Sequence, residues 1–204
     1  MSCSCLRAGI IFVFLTGLVQ AGSLDTCLVA RVFYFPAAKR EMHFSLIDRV
    51  EILVPGSHIV ATKSLSLAEE YLRDHFPNFP VMPGVLMLEA LTQSAAWLVR
   101  VTQDFANNLV LLKEAKGVRY GKFVQPGQTL RIEANILKQE DRLTFVKSEG
   151  TMDGKTTLKA QLVLESTKVI DTYPGRAFAD EKLTKYLKEN LALIWPDYQT
   201  QLYG

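Results

Sequence analysis

Residues Val81 to Phe105 form the longest apolar segment in the body of the chain and read Val-Met-Pro-Gly-Val-Leu-Met-Leu-Glu-Ala-Leu-Thr-Gln-Ser-Ala-Ala-Trp-Leu-Val-Arg-Val-Thr-Gln-Asp-Phe. Pro83 suits the first position of a helix, where its missing N–H costs nothing. The turns that follow are apolar on nearly every side, which is typical of a helix buried within a protein. Glu89 is the only ionisable residue between Val81 and Val99. We therefore predict a long, buried central helix from Gly84 to about Phe105.

Before this helix the sequence predicts two strands, a short helix and a stiff loop. A strand is predicted over residues 45–55, with Ile47, Val50, Ile52 and Val54 as its alternating apolar residues, and a second strand returns over residues 58–65. Ser66 and Glu69 have the spacing of a capping box, which predicts a short helix that ends near Arg73. Three prolines between Asp74 and Gly84 exclude regular structure there and stiffen the loop.

Beyond Asn108 the pattern changes from helix to strand. It predicts five strands, at residues 109–113, 117–124, 129–138, 143–151 and 156–165. Pro126-Gly127 and Asp153-Gly154 mark turns, and the second pair is a strong signal for a two-residue hairpin. One antiparallel sheet wrapped around one apolar helix buries both, so the predicted fold class is α+β.

The two ends of the chain are predicted to lie outside this domain, which we place at residues 42–170. Residues 1–41 are an N-terminal extension, either a signal-like segment around the apolar run at residues 8–19 or a consequence of a true start at Met42. We expect a cytoplasmic protein, or an exported or organellar one if residues 1–21 are a genuine signal. Residues 171–204 are a C-terminal helical extension that docks against the domain or a neighbouring subunit. Its apolar stripe consists of Leu183, Tyr186, Leu187, Leu191 and Ile194.

Composition excludes several classes of function. The hydrophobic content of 49% and the charged content of 22% are those of an ordinary globular protein, and a formal charge of +2 gives no reason to expect a nucleic-acid partner. The apolar run near the N-terminus is too short for a stable membrane span. All three cysteines precede Met42, and His43, His58 and His75 form no ligand-spaced cluster. We therefore expect neither a nucleophilic thiol nor a metal site in the body of the chain.

His75 is the first candidate for chemistry. A lone histidine is more often structural than catalytic, but this one stands in a proline-rich loop that leads into the N-terminus of the central helix. That terminus offers unpaired N–H groups and the positive end of the helix dipole, which stabilise developing negative charge. Because a neutral imidazole accepts protons near pH 7, we predict that His75 is a general base.

Glu89, five residues into the helix, is the second candidate. Most helical glutamates face solvent, but the apolar neighbours of Glu89 predict burial, which favours the protonated carboxyl group that a general acid needs. Gln93 lies one turn further on and can hydrogen-bond that carboxyl group. A base, an acid and a helix N-terminus suit removal of the α proton of a thioester with loss of a β-hydroxyl group. Their spacing alone does not identify that reaction.

The segment from His75 to Gln93 closely resembles the active-site segment of the β-hydroxyacyl-acyl carrier protein dehydratases of fatty acid synthesis, the FabZ type. It reads His-Phe-Pro-Asn-Phe-Pro-Val-Met-Pro-Gly-Val-Leu-Met-Leu-Glu-Ala-Leu-Thr-Gln. The similarity continues at residues 46–50, 123–130 and 153–155, and it covers about residues 44–166. The resemblance implies the hotdog fold, in which a bent sheet wraps a central helix. It also implies an obligate homodimer, with dimers often grouped as trimers of dimers.

The resemblance also implies a role for each candidate residue. His75 of one subunit, which removes the α proton, would meet Glu89 of the other subunit. The Gly84 N–H polarises the thioester carbonyl, and Glu89 protonates the departing hydroxyl group to leave a trans-2-enoyl thioester. Gln93 matches the glutamine that supports the acid. No metal or organic cofactor is implied, because the thioester itself acidifies the α position.

The acyl group is implied to arrive on acyl carrier protein, which is an acidic partner. Basic side chains near the predicted site would provide a complementary rim, although a solvated charged face explains each of them as well. They are Arg73, Arg100, Lys113, Lys116, Arg119 and Lys122.

The chain departs from the family pattern at three places. Asp74 stands where glycine is usual, Phe79 replaces a histidine or aspartate, and residues 109–113 lack the aromatic residue that often gates the acyl tunnel. The preferred acyl length therefore stays open. Three alternatives also stay open: a bifunctional dehydratase–isomerase, which usually carries aspartate at the position of Glu89, a hotdog thioesterase, and a catalytically silent acyl-binding subunit.

Overall fold

The structure is a computed structural model that describes residues 44–172 and 177–198. One long helix, α1, covers Gly84–Thr102. Two further helices follow near the end of the chain, α2 (Val169–Thr172) and α3 (Ala177–Ile194), and a 3-10 helix (Glu70–Arg73) precedes the proline-rich loop between Asp74 and Gly84. The strands are β1 (Arg49–Val54), β2 (His58–Ser64), β3 (Leu109–Tyr120), β4 (Thr129–Glu140), β5 (Leu143–Met152) and β6 (Lys155–Thr167).

The six strands form one antiparallel sheet in the order β1-β2-β4-β5-β6-β3. After β2 the chain leaves the sheet, passes through α1 and returns at the opposite edge as β3. Helix α1 therefore lies across one face of the sheet, where it packs against β2 to β6. The predicted α+β architecture, a sheet wrapped around a central helix, is confirmed.

The core lies between α1 and the face of the sheet that it crosses. Leu91, Ala95 and Leu98 of α1 are completely buried, as are Ile132 of β4 and Leu158 of β6. Burying a leucine or isoleucine side chain stabilises a fold by roughly 1.5–3 kcal/mol. Burial of the apolar side chains of α1 is therefore the main interaction that holds the helix against the sheet.

The alternation predicted for the first strand is wrong. Val50 and Leu53 are buried, whereas Ile52 and Val54 are 45% and 41% exposed. The register of β1 against β2 shifts between Val50 and Ile52. Such a bulge reverses the side-chain alternation, and the apolar pattern alone does not reveal it.

The two strands predicted at residues 109–113 and 117–124 are one strand, β3, of 12 residues. Its pairing with β6 shifts in register between Leu112 and Glu114 and again between Lys116 and Arg119. These irregularities interrupt the apolar pattern without ending the strand. The strand stops at Tyr120, before the predicted end at Val124.

Both ends of the central helix differ slightly from the prediction. Pro83 is the residue that precedes the helix and has extended backbone geometry (φ −55°, ψ 136°), so it is not the first helical residue. The helix ends at Thr102 because Asp104 and Phe105 adopt left-handed conformations, with φ of 47° and 58°. By contrast, the predicted Asp153-Gly154 hairpin turn is confirmed, with φ of 50° and 71°.

Ser66 and Glu69 do not form the predicted capping box. The Ser66 hydroxyl accepts a hydrogen bond from the Ala68 N–H at 3.2 Å, and the Glu69 carboxylate pairs with the Lys63 ammonium at 2.8 Å. Lys63 is only 6% exposed and also pairs with Asp48 at 3.0 Å. Although burial opposes its charge, the bonds to Glu69 and Asp48 raise the pKa of Lys63. Glu69 is therefore engaged by a buried cation that needs charge compensation.

Helix α3 docks onto the connection between α1 and β3 of the same chain. The Asn108 side-chain amide donates to the Asp180 carbonyl at 2.9 Å and to the Thr184 hydroxyl at 3.2 Å. Leu187 and Leu191 of the predicted stripe are buried in the core. The division of the chain after residues 41 and 170 stays a prediction, and the N-terminal extension lies outside the described residues. Across the part of the chain that is described, no helix is long and apolar enough to span a membrane.

Candidate active site

The proline-rich loop is held by backbone hydrogen bonds. Phe76 and Phe79 exchange two bonds, at 3.2 and 3.0 Å, which close a tight turn. The Val81 N–H donates to the His75 carbonyl at 3.0 Å, and the Met82 N–H donates to the Val124 carbonyl at 2.8 Å. The position of His75 is therefore determined by the loop itself before any substrate binds.

The ring of His75 is oriented by one hydrogen bond. Its Nδ1 lies 3.0 Å from the Val81 carbonyl oxygen. Because a carbonyl oxygen only accepts, Nδ1 carries the proton of this bond, and in the neutral ring the lone pair is then on Nε2. The Phe76 ring stacks on the imidazole at a centroid distance of 4.3 Å. His75 thus presents the tautomer that a general base requires.

The N-terminus of α1 presents unpaired amides. The Leu86 and Met87 N–H groups both donate to the Pro83 carbonyl, at 2.9 and 3.1 Å, and no side chain caps the helix at Pro83. Within the described residues, the N–H groups of Gly84 and Val85 have no hydrogen-bond partner. Two free amides at the positive end of a helix form a ready site for an oxygen that gains negative charge.

Gly84 lies against the ring of Tyr120. A Cβ atom at residue 84 would stand 2.9 Å from Cε1 and 3.2 Å from Cδ1 of that ring. A side chain at this position would therefore displace the tyrosine. Tyr120 was not predicted as part of the site, because the apolar pattern placed it inside a strand that continued to Val124.

Gln93 connects Glu89 to the segment that precedes β1. Its amide nitrogen donates to the Glu89 carboxylate and to the Phe44 carbonyl, both at 3.0 Å. Its amide oxygen accepts from the Leu46 N–H at 2.9 Å, which fixes the orientation of the amide. The hydrogen bond predicted between Gln93 and Glu89 is present. Phe44 and Leu46 were missed, since no local pattern links them to a residue so far along the chain.

Glu89 is only half-buried, so the burial predicted for it from its apolar neighbours is present only in part. Val85, one turn earlier, is 49% exposed. This face of α1 points away from the sheet of its own chain. Within the described residues no hydrogen bond joins His75 to Glu89.

The described residues also contain no group of three or more histidine, cysteine, aspartate or glutamate side chains arranged to hold a metal ion. The groups that form the candidate site are His75, the N–H groups of Gly84 and Val85, Glu89 and Gln93.

A comparison with known protein families identifies the family to which the chain belongs. The model of the FabA-like domain family matches residues 39–161, which is more than half of the chain. The chain belongs to the FabA-like family. The similar proteins include "3-hydroxyacyl-[acyl-carrier-protein] dehydratase FabZ" of Ruminiclostridium cellulolyticum, which is 36% identical over 61% of this chain and 88% of the relative. The protein of the same name from Janthinobacterium sp. is 37% identical over 64% of this chain and 85% of the relative.

A solved structure supports the fold of this FabA-like chain. A chain of the dehydratase heterocomplex ApeI:P from Xenorhabdus doucetiae superposes with a TM-score of 0.53 at 20% identity, and the match covers 63% of this chain and 86% of that one. At this identity the match shows the fold alone. The predicted resemblance to FabZ-type dehydratases, and the hotdog fold that it implies, are confirmed.

Replacing Gln93 with leucine is expected to lower both stability and kcat. Leucine would leave the Leu46 N–H and the Phe44 carbonyl without their partner, and Leu46 is completely buried. An unsatisfied buried amide costs about 1–3 kcal/mol of unfolding free energy. Denaturant unfolding measures this loss of unfolding free energy. Steady-state kinetics measures kcat, which should fall because Glu89 loses its hydrogen bond from Gln93.

Gln103→Leu is the matched control, because Gln103 donates to Ser166 at the other end of α1. It should lower stability without lowering kcat. If Gln93→Leu kept the wild-type kcat, Gln93 would have no role in supporting Glu89.

Proposed function

We propose that this chain dehydrates (3R)-hydroxyacyl groups carried on acyl carrier protein to trans-2-enoyl groups in fatty acid biosynthesis, with His75 as base and Glu89 as acid. The chain is then a hydro-lyase, as the names of its curated relatives indicate. The observation that carries the assignment of the base is the bond between His75 Nδ1 and the Val81 carbonyl. It leaves the lone pair of Nε2 available for the α proton of the substrate.

In the proposed reaction the thioester carbonyl binds at the Gly84 N–H, where the free amides favour the enolate-like charge that develops on its oxygen. His75 Nε2 takes the α proton, and the electrons of the C–H bond form the new C=C bond. The β C–O bond breaks as Glu89 gives its proton to the hydroxyl group, which leaves as water. His75 then holds one extra proton and Glu89 lacks one, so exchange with solvent restores both. The thioester acidifies the α position, and no step needs a cofactor.

The proposal includes a homodimer built on β3. This strand is an edge of the sheet, and it exposes Leu111 and Leu112, which are 50% and 38% exposed. An exposed apolar stretch at a sheet edge favours pairing with another strand. Antiparallel pairing of two β3 strands would join the sheets of two copies and cover both leucines. A second copy would also cover Val85 and place His75 of one subunit opposite Glu89 of the other. Light scattering in solution separates a dimer from a trimer of dimers.

The basic rim proposed for acyl carrier protein reduces to three of the six residues. Arg73, Arg119 and Lys122 are exposed and have no ion pair within the described residues. Lys113 pairs with Glu165 at 3.5 Å and Lys116 with Glu114 at 3.0 Å.

Arg100 does not belong to the rim. It stands in the last turn of α1, about 24 Å along the helix axis from Gly84 at the usual rise per residue. Its guanidinium lies over the Trp97 ring at 5.3 Å, and its Nε donates to the Asn108 carbonyl at 3.1 Å.

Reversing the charge of the rim is expected to weaken binding of the protein-borne substrate. The double variant Arg119→Glu/Lys122→Glu should raise KM for hydroxyacyl-acyl carrier protein by about tenfold or more at low salt, with a smaller effect at high salt. KM for the same acyl group on coenzyme A or N-acetylcysteamine should change little. Lys182→Glu, on the exposed side of α3, is the control. Equal changes for protein-borne and small thioesters would contradict docking at this rim.

The activity is tested by incubating the purified chain with crotonyl and decenoyl thioesters of acyl carrier protein and following hydration by the loss of enoyl absorbance. A correctly assembled protein that is inactive at every chain length would exclude the proposed function. Analysis of the products by chromatography distinguishes a dehydratase from a dehydratase–isomerase, because only the latter forms a cis-3-enoyl thioester.

We also propose that the protein works in the cytoplasm. Intact mass spectrometry of the protein from its native host tests this location. A chain that starts at Met42 would agree with it, and a chain that starts near Gly22 would indicate a cleaved signal.

A further inference from the structure

Tyr120 stands at the end of β3 and is 52% exposed. The backbone around it is closely constrained. The next residue, Gly121, donates its N–H to the Thr157 carbonyl at 2.7 Å, and a Cβ atom there would lie 2.9 Å from the Thr156 carbonyl oxygen. The chain then continues to Val124, which accepts the bond from Met82. Tyr120 is thus held beside the loop that leads into α1.

The ring of Tyr120 reaches the first residue of α1. Its Cε1, Cδ1 and Cζ atoms are the nearest atoms to the position that a Cβ of Gly84 would take, at 2.9, 3.2 and 3.4 Å. The contact therefore involves the ring carbons along one side of Tyr120, Cδ1, Cε1 and Cζ. The phenol oxygen is not among the three nearest atoms. The ring borders the helix end at which the Gly84 and Val85 amides are unpaired.

Two other aromatic side chains stand on the segments on either side of this helix start in the fold, the loop before α1 and the segment after β3. Phe79 of the active-site loop meets Phe123 edge to face at a centroid distance of 6.1 Å. The two rings are 48% and 62% exposed, so neither belongs to the core. Exposed aromatic side chains on the segments next to a helix end with unpaired amides are typical of a binding surface and not of a surface shaped only for stability.

We propose that Tyr120 is a positioning residue for the dehydration, because its ring forms the wall beside Gly84 that sets the direction from which the thioester carbonyl reaches the Gly84 N–H. The inference rests on the proposed function. In this role the ring borders the first residue of α1 and restricts the directions from which a carbonyl can approach the amide. A carbonyl that is misplaced by about 1 Å can lower the rate about a hundredfold. The contact also explains why residue 84 carries no side chain.

The first test compares Tyr120→Phe and Tyr120→Ala in the full chain, with 3-hydroxydecanoyl-acyl carrier protein as substrate. Removal of the ring should lower kcat about tenfold while KM changes less than about threefold, because orientation is lost more than binding. Phenylalanine keeps the wall and should recover kcat to within about threefold of wild type. Leu137→Ala is the control for loss of an exposed apolar side chain, since Leu137 is 56% exposed on β4. Thermal unfolding verifies that each variant folds.

The second test is a double-mutant cycle between Gly84→Ala and Tyr120→Ala. Gly84 does not have a left-handed backbone conformation, so alanine is costly there only through its contact with the ring. In the presence of Tyr120 the new methyl group must displace the ring, and kcat should fall about tenfold. In the Tyr120→Ala background the same methyl group should cost much less. Losses that simply multiply would overturn the proposed contact.

The outcomes separate this inference from the proposed function. A wild-type protein that is inactive on every thioester would contradict both the proposed function and the proposed role of Tyr120. An active wild type with a Tyr120→Ala variant that matches it in kcat would overturn only the role of Tyr120. If Tyr120→Phe lost as much activity as Tyr120→Ala, the hydroxyl group and not the ring would be responsible, and the proposed wall would be excluded.

Discussion

Replacing His75 with alanine is expected to lower kcat for dehydration about a thousandfold, within the range that a general base contributes. Alanine removes the only imidazole at the helix N-terminus among the described residues, and with it the lone pair that Nδ1 protonation leaves on Nε2. Stability should fall little, because His75 is half-buried and its backbone bond to Val81 remains. Steady-state kinetics on a hydroxyacyl thioester measures the loss, and circular dichroism verifies the fold.

His58→Ala provides the matched control. His58 stands on β2 with its Nδ1 3.1 Å from the Ser57 hydroxyl, and no part of the proposed mechanism involves it. Its replacement should leave kcat within about twofold of wild type. If His75→Ala retained more than about a tenth of the activity, His75 would not be the base.

Replacing Glu89 with glutamine is expected to cost about a thousandfold in kcat as well. Glutamine preserves the shape of the side chain and can still accept a hydrogen bond from Gln93, but it has no proton to give to the leaving hydroxyl group. KM should change little, because the loss falls on a step that occurs only in the transition state. Glu133→Gln, on the exposed side of β4, is the control for loss of a negative charge. A Glu89→Gln variant with full activity would exclude Glu89 as the acid.

The same two variants test whether each site is shared between subunits. A mixed dimer of His75→Ala and Glu89→Gln subunits contains one site with both changes and one with neither, if the histidine and the glutamate come from different chains. Random exchange would then restore about a quarter of the wild-type activity, because half of the dimers are mixed and each has one intact site. Without restoration after verified subunit exchange, the two residues would have to act within one chain.

Local patterns predicted much of the fold. The apolar run from Gly84 to Val99 identified the buried helix, because nearly continuous apolar residues around a helix leave no side for solvent. Asp153 and Gly154 identified a hairpin turn, because both positions need positive φ. The patterns failed where another element decided the outcome. Glu69 pairs with Lys63 across the fold and does not cap a helix, and the register shift after Val50 turns Ile52 outward.

In the candidate site, too, a local interaction was predictable and the contacts between distant segments were not. The spacing of Glu89 and Gln93 on one helix face predicted their hydrogen bond, since residues four apart are neighbours on a helix. The partners of Gln93 on the other side, Phe44 and Leu46, were not predictable, because tertiary packing brings them to the helix from more than forty positions away along the chain.

What the sequence determined by itself is the long apolar helix and the segment from His75 to Gln93 at its start, because those features depend on residues close together in the chain. The free nitrogen of His75 and the contact of Tyr120 with Gly84 followed only from the folded chain. The first depends on a hydrogen bond within the folded loop, and the second depends on two distant segments that the fold brings together. Hydrogen bonds and van der Waals contacts act over a few ångströms in space, whatever the separation in sequence.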